Sequence, residues 1–567
     1  MHFDEILLKV GGWGKYQKIQ YLLLGVMAIF PGFQNLCMVF IGGGDHRHWC
    51  HVPELQNMSA DQQRYIAIPE TVNYERKIVY EQCSQFDINF GKYDADAYKK
   101  WNRTVMTPAG TKRVACRHGY DFDRKQYTST IASQFDLVCG RDWMVALVTT
   151  IYMAGFMTGS VAFGYMSDRY GRRLTLFVSI ILQAIFGFAA AFVPNYAVFV
   201  IFRFLLATAV AGAATTAFVI VVEIVGPKSR MTCSIFCQGF FAAGYMLLPL
   251  LAYFIRDYRW LQITMLAPIF PMISYWWLVP ESPRWLISER RYDKALEILN
   301  KMAQSNGEPE LEKTFFDKEI VEKDEKTTEE GSTGHEVKDK HGSIIDLLSF
   351  PLLRKKSLIV FFNWFVNSLV YYGVSFSRNL MGGNLYISTF VIASVELLSY
   401  FMTVVLLGKW GRRRPLSFTM IVAGVACLLC SPFLYDPALA PALVTMAILG
   451  KFGIASSFAI IFLYSSELFP TVVRNVGVGT GSMHARIGGL VAPQVALLSK
   501  YWVPLPTVIF GTFAVAGGLL ALYLPETWNK DLPETLEEGE EFVRNSELRK
   551  KEGDQISLTE SSNLVPK

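Results

Sequence analysis

Charge is what this sequence has least of. Only 18% of its 567 residues are Asp, Glu, Lys or Arg, against roughly 25% in soluble globular chains, so a soluble multidomain enzyme is a poor fit. No Gly-x-x-x-x-Gly-Lys-Ser/Thr loop is present to cradle nucleotide phosphates, which disfavours an ATP-driven pump. No nucleophile elbow and no Cys/His run with metal-ligand spacing occur either, so neither an enzyme nor a metal or other cofactor is expected. The net charge is only +5, and the basic residues lie in short clusters instead of on one broad face, which argues against a nucleic-acid partner.

Apolar residues make up 51% of the chain, and they come in blocks. A membrane-crossing helix needs about 20 of them. Blocks near 20–41, 144–166, 174–193, 197–222, 232–255 and 261–279 are followed, after a polar gap, by 357–377, 384–407, 416–435, 441–464, 476–497 and 505–524. These are spans 1 to 12, six plus six. The first is not a cleaved signal peptide, because polar residues precede it and no small-residue cleavage site follows. The expected organisation is an N-terminus at 1–19, a six-helix bundle at 20–279 containing the insert 42–143, a linker at 280–356, a second bundle at 357–524 and a tail at 525–567.

Lys and Arg in short loops orient such a chain. Arg169, Arg172 and Arg173 follow span 2, Lys228 and Arg230 follow span 4, Lys409 and Arg412 to Arg414 follow span 8, and Arg474 follows span 10. An even-odd count puts all of them on one side, with both termini cytoplasmic; Arg256 and Arg259 are the exception. The insert 42–143 then falls outside. It carries Cys50, Cys83, Cys116 and Cys139, and sequons at Asn57 and Asn102. In an oxidising compartment four cysteines imply two disulfides, with three connectivities open, and the sequons imply glycosylation. His46, His48 and His51 read as a solvated loop. Within the linker, 290–303 has helical spacing, whereas 305–342 is dense in charge and reads as flexible, as does the tail.

Three cytoplasmic signatures recur in order. Gly171-Arg172-Arg173 returns as Gly411-Arg412-Arg413, Glu223…Arg230 as Glu467…Arg474, and Pro280-Glu281-Ser282 as Pro525-Glu526-Thr527, at offsets of 240, 244 and 245 residues. A duplicated six-span unit follows. Parallel repeats of this kind enclose a midplane site and rock around it. The charges at the helix ends, Asp168, Arg169, Arg172, Arg173, Glu223, Arg230, Glu281, Arg284, Arg412, Glu467 and Arg474, are expected to form an inner gate, whose bridges between the bundles hold the inner side shut when the cavity faces out and break for inward opening.

An ionisable side chain inside a span is a functional candidate by default. Arg486 in span 11 is the sharpest. Aromatic faces suit a quaternary ammonium; Trp364, Asn367 and Tyr371 of span 7 share a face, with Tyr372 beside them. Gln238 and Phe241 share a face of span 5, and Phe33, Gln34 and Asn35 of span 1 complete the expected lining.

The run Gly164-Tyr165-Met166-Ser167-Asp168-Arg169-Tyr170-Gly171-Arg172-Arg173, the long first loop, Pro280 to Leu286 and Glu467 to Asn475 resemble the organic cation, organic anion and carnitine transporter family of the major facilitator superfamily. The resemblance covers roughly 1–540. Gly450-Lys451-Phe452-Gly453 and Val476-Gly477-Val478-Gly479 are most similar to its carnitine and zwitterion subgroup. It implies an all-α membrane protein of twelve transmembrane helices in two pseudo-symmetric six-helix bundles, the major facilitator fold. It also implies alternating-access transport of small organic cations or zwitterions such as carnitine-like betaines across the plasma membrane, with organic anion transport or a non-transporting receptor as alternatives. Cation carriers of the family have an acid at the position of Arg486, and anion and carnitine carriers an arginine. The same likeness puts Gln238 and Phe241 in the cavity and makes Arg203 a family position. The expected partners are the substrate, the bilayer and a coupling ion, sodium or proton, with the monomer as functional unit.

Overall fold

The protein is described here as a computed structural model covering residues 3–43, 46–72, 78–93, 98, 100–107, 110–312, 344–377, 384–528, 530, 533 and 535–545. The stretch expected to be flexible, 305–342, falls largely outside those residues, as does the tail from 546. Among them, nine helices are long and apolar enough to cross a membrane. They are span 1 taken as Lys15–Ile41, span 2 Trp143–Tyr170, span 3 Arg172–Phe192, span 4 Tyr196–Ile224, span 5 Pro227–Phe254, span 7 Pro351–Phe376, span 8 Leu385–Trp410, span 9 Arg413–Phe433 and span 10 Ala440–Leu468. Span 11, Arg474–Leu497, and span 12, Leu505–Ala521, are helices of lower hydropathy or shorter length. Span 6 is broken into Tyr258–Leu266, Ile269–Met272 and Tyr275–Leu278. These three bring the segments to the expected twelve.

The breaks have local causes. Span 1 divides into Lys15–Met27, Ile29–Leu36 and Met38–Ile41. Pro31 has no N–H to give the Met27 carbonyl one turn back, so the ladder fails there. Pro268 and Pro271 interrupt span 6 in the same way. Span 4 starts cleanly, because Asn195 accepts from the Ala197 and Val198 amides.

The two halves repeat each other at atomic detail. Gly171 and Gly411 sit at φ +99° and +79°, and a Cβ on either would lie 2.5 or 2.7 Å from Glu281 or Glu526. Glycine is therefore needed twice over, for conformation and for space. Each turn aims the free amides of the next helix at that glutamate: Arg172 N to Glu281 at 2.8 Å, and Arg412 N to Glu526 at 2.8 Å. A carboxylate there offsets the positive helix end. The following arginine then reaches the carboxylate that ends the fourth helix of its own bundle, Arg172–Glu223 at 3.0 Å and Arg412–Glu467 at 2.9 Å.

The insert folds around Trp49, Leu55, Ile66, Phe90, Tyr98 and Trp101. Three two-stranded antiparallel sheets pair 48–50 with 120–122, 70–72 with 78–80, and 84–86 with 113–115. So small a core needs covalent staples, and two are present, Cys50–Cys116 and Cys83–Cys139. His46 is not solvated as expected: it is buried against Thr130 and the Asp123 carbonyl. Asn57 and Asn102 are exposed on this domain. At the opposite face, helix Tyr292–Asn306 docks on the N-terminal segment, where Asn306 Nδ2 donates to Val10 O at 2.8 Å.

Candidate functional site

Between the bundles lies a cavity of about 230 Å³. Its wall includes Asn35, Phe156, Gln238, Phe241, Tyr371, Tyr372, Tyr400, Phe458, Ser482 and Arg486, and it continues along Leu24 and Val221 toward the face carrying the termini. Span 1 brings Asn35, span 2 Phe156, span 5 Gln238 and Phe241, span 7 the two tyrosines and span 11 Arg486. A site assembled from both halves of the repeat can change when they rock.

Arg486 has no hydrogen-bond or ion-pair partner among the described residues. Its Nε is buried without a partner, and its guanidinium carbon lies 4.4 Å from the centroid of the Phe156 ring. A guanidinium in such a place is held by a π face and is otherwise open to an oxyanion. On the other side, Tyr371 packs at 5.2 Å from Tyr372, 5.8 Å from Phe458 and 6.5 Å from Phe241, centroid to centroid. The cavity thus joins one free positive charge to a cluster of aromatic faces.

Behind Tyr371 sits a feature the sequence reading did not single out. Glu396 of span 8 and Lys451 of span 10, both with fully buried side chains, pair at 3.1 Å. Tyr371 and Tyr400 donate their hydroxyls to Glu396 Oε1 at 2.7 and 2.9 Å. Lys451 Nζ donates to Ser375 Oγ at 2.9 Å and lies 3.3 Å from the Tyr371 ring centroid. Glu396 does not line the cavity; the two tyrosines do, and the buried pair fixes where they stand. The signal was available, as these are the only acid in span 8 and the only lysine in span 10, and each is a functional candidate by default.

Four of the expected lining residues stand elsewhere. Trp364 is fully buried, donating its Nε1–H to Ser465 at 2.8 Å and packing on Phe462. Asn367 donates to the Asn363 carbonyl and accepts from Ser457. Both share a face with Tyr371 but lie deeper, toward span 10. Gln34 accepts from Arg203 at 3.0 Å, and Phe33 packs in the core. Arg203, 4.6 Å from the Tyr152 ring, braces span 4 against span 1. Asn35, Gln238, Phe241, Tyr371, Tyr372 and Arg486 do come together around the cavity.

The inner-gate residues are expected to bridge the bundles only while the cavity faces outward, and in this structure, linked on the opposite side, they stand apart. Arg172 pairs with Asp168 and Glu223, Arg412 with Glu467, and Arg230 with Asp4 of the N-terminal helix at 2.7 Å. Arg173 donates to Trp276 O, Arg474 to Phe469 O at 3.3 Å and Arg169 to Tyr165 at 3.0 Å, while Arg284 stacks over Phe3. Each contact stays within its own bundle. The loops are short, so the nearest unmet helix ends belong to the same half.

Polar links between the bundles lie instead in the half nearer the inserted domain. Asn35 Nδ2 donates to Tyr372 OH at 3.2 Å, and within its own bundle Asn35 is held by Tyr152 OH, which donates to its Oδ1 at 2.9 Å. Thr150 donates to Leu490 O at 3.3 Å and accepts from Gln494 at 2.9 Å, and Asp142 pairs with Lys500. The cavity is sealed on that side.

Residues 97–538 match the family described as sugar (and other) transporter. The organic cation transporter protein of Drosophila melanogaster is 37% identical over 543 residues, 96% of this chain and 95% of that protein. The beta-alanine transporter of the same organism is 32% identical over 561 residues, 95% of this chain and 89% of that one. Among solved structures, a partially occluded inward-open conformation of the xylose transporter XylE from E. coli aligns with a TM-score of 0.59 at 15% identity, covering 91% of this chain and 100% of that one.

Proposed function

The chain belongs to the sugar (and other) transporter family of the major facilitator superfamily, among the organic cation transporters, and from that membership we propose that it moves small organic cations and zwitterions across the plasma membrane by alternating access. Zwitterions of the carnitine type, with a carboxylate and an alkylated ammonium, fit best. The observation that carries this is Arg486, a guanidinium without a protein counter-charge, set in the same cavity as Tyr371, Tyr372 and Phe241. A carboxylate takes the guanidinium and the ammonium takes the rings. Two relatives bracket the reading, one named for organic cations and one for beta-alanine, which is itself a zwitterion at neutral pH.

In this reading the disulfide-bonded insert faces the outside, where disulfides persist and Asn57 and Asn102 receive glycans. Both termini face the cytoplasm. The outer side is then shut, and the functional unit is one chain, with sodium or proton as the coupling ion. Arg486 taken alone favours a second reading, an organic anion carrier.

Uptake in transfected cells separates the two. Glycine betaine and choline share a trimethylammonium and differ by a carboxylate, and benzoate supplies the carboxylate alone. Arg486→Gln is expected to raise the KM for glycine betaine about tenfold or more, the worth of a charge-assisted pair, and to leave that for choline equal to wild type or lower. Tyr371→Ala is expected to weaken both. Uptake of benzoate without either ammonium compound would establish the anion reading, and an equal loss of betaine and choline uptake in Arg486→Gln would remove the pairing.

A further inference from the structure

A larger cavity, about 430 Å³, lies outside the sealed layer, where spans 2, 7 and 11 meet the extracellular domain. It is separated from the central one by the Thr150–Leu490 and Gln494–Thr150 links and by the Asn35–Tyr372 bond. Much of its wall is apolar, with Leu137, Phe376 and Pro493 among the residues, and the Cys83–Cys139 disulfide fixes one side. Within it stand one acid and one lysine, Asp142 at the start of span 2 and Lys500 just past span 11. They pair with each other across the bundle boundary, yet 37% and 45% of their side chains stay exposed.

We infer that this outer vestibule is a first docking site for zwitterionic substrates, in which the ligand's carboxylate and ammonium replace the two halves of the Asp142–Lys500 pair. The inference rests on the transport reading above and adds to it a second site, its selectivity and its side.

A half-exposed ion pair holds its partners weakly, so exchange is cheap, provided that neither partner is left alone. A zwitterion satisfies both: its carboxylate meets Lys500 and its ammonium meets Asp142. A simple cation leaves Lys500 without its counter-charge, and a simple anion leaves Asp142 without one, so each makes one contact at the expense of another. The vestibule therefore discriminates for the doubly charged ligand. Exchange also undoes one of the polar links holding the outer side shut. Occupancy of the vestibule and opening of the path inward are thus coupled, because the ligand interacts differently with the two states.

The test uses sidedness. A residue of the central cavity acts on influx and efflux alike, whereas a vestibular residue acts on influx. Lys500→Gln and, independently, Asp142→Asn are expected to raise the influx KM of glycine betaine relative to that of choline by about fivefold, the order of a half-exposed charge contact, with the efflux KM unchanged. Lys500→Arg is expected to keep wild-type values. Taking the ratio to choline cancels any general easing of the outer gate, and surface abundance corrects for folding. A betaine-to-choline ratio equal to wild type in both charge-removing variants overturns the inference, as does an equal shift in efflux. Should wild-type chain at normal surface abundance carry neither probe, the transport reading falls and the vestibular site with it; normal wild-type uptake with an unchanged ratio removes the vestibular site alone.

Discussion

Glu396 and Lys451 offer the sharpest quantitative test of how the cavity wall is held. Their charges lie 3.1 Å apart with fully buried side chains. At an effective dielectric of about 20 that attraction amounts to about 5 kcal/mol, and desolvation of both ions offsets much of it. The pair as a whole should therefore contribute little net stability, while breaking it should cost about 3–5 kcal/mol, because one charge is left buried alone. The two ways of breaking it are not equal. Lys451→Met leaves a carboxylate that still accepts from Tyr371 and Tyr400. Glu396→Gln leaves an ammonium with the Ser375 hydroxyl and the Tyr371 and Tyr245 rings but no counter-charge among the described residues, so it should be the worse of the two. The double variant, Glu396→Gln with Lys451→Met, removes both charges and keeps an amide oxygen to receive the tyrosine hydroxyls. It should recover most of the loss. Thermal unfolding of the detergent-purified chain reads this directly: midpoints several degrees down for each single variant and near wild type for the double. Additive losses in the double variant would refute the pairing argument, because a shared interaction makes contacting residues non-additive.

Two further outcomes follow from the packing and the helix caps. Gly32→Ala would place a Cβ 2.3 Å from the Phe241 carbonyl of span 5, whereas a Cβ at Gly164 meets nothing within 4 Å; overpacking at Gly32 should cost about 1–3 kcal/mol or more and lower surface abundance, with Gly164→Ala as the tolerated control. Burial holds the Glu281 carboxyl above its usual range, so the native state binds that proton more tightly than the unfolded chain and stability falls as pH rises from the ordinary glutamate value through the raised one. Glu281→Gln should flatten that decline in unfolding midpoints measured from about pH 4.5 to pH 7; a decline as steep as that of wild type would refute the assignment to Glu281.

Much of the architecture could be read because each relevant signal is periodic or paired. Apolar blocks of helix length place the spans, and three ordered signatures betray the duplication that the Gly171 and Gly411 turns make physical. What sequence does not carry is which charge meets which. The arginine clusters at the helix ends do not say which carboxylate each meets; with the outer side shut, a glycine turn followed by an arginine directs both the amides and the guanidinium back into the same half. Trp364 fails as a cavity residue for a related reason. Spacing of three and seven places it on a face with Tyr371, but seven residues along a helix are about 10 Å, enough to move a ring from the cavity to the layer beneath. Glu396 was readable by the same rule that found Arg486, and the two differ in what surrounds them, which no linear pattern reports.

That difference sets the charge the cavity offers to a substrate. Arg203, Glu396, Lys451 and Arg486 carry charge in the middle of the spans around it. Arg203 donates to Gln34 and is covered by Tyr152, so it is occupied in bracing span 4. Glu396 and Lys451 neutralise each other behind the tyrosines. Of these four, Arg486 faces the void with no hydrogen-bond or ion-pair partner among the described residues. The lining therefore carries one uncompensated positive charge, and a ligand with only a positive charge would meet repulsion that the aromatic faces, worth about 0.5–2 kcal/mol per contact, must overcome. A ligand that brings its own carboxylate turns that repulsion into a pair and still presents its ammonium to Tyr371. A pure cation would gain a counter-charge if Glu396 were freed from Lys451 to face it, and that would require the tyrosine hydroxyls and the lysine to move together. On this accounting, replacing Lys451 by Met should shift selectivity toward choline and away from glycine betaine, while Arg486→Asp should do so more strongly. Competition uptake of the two probes measures the shift, and an unchanged preference in Arg486→Asp would show that the charge facing the substrate is set elsewhere.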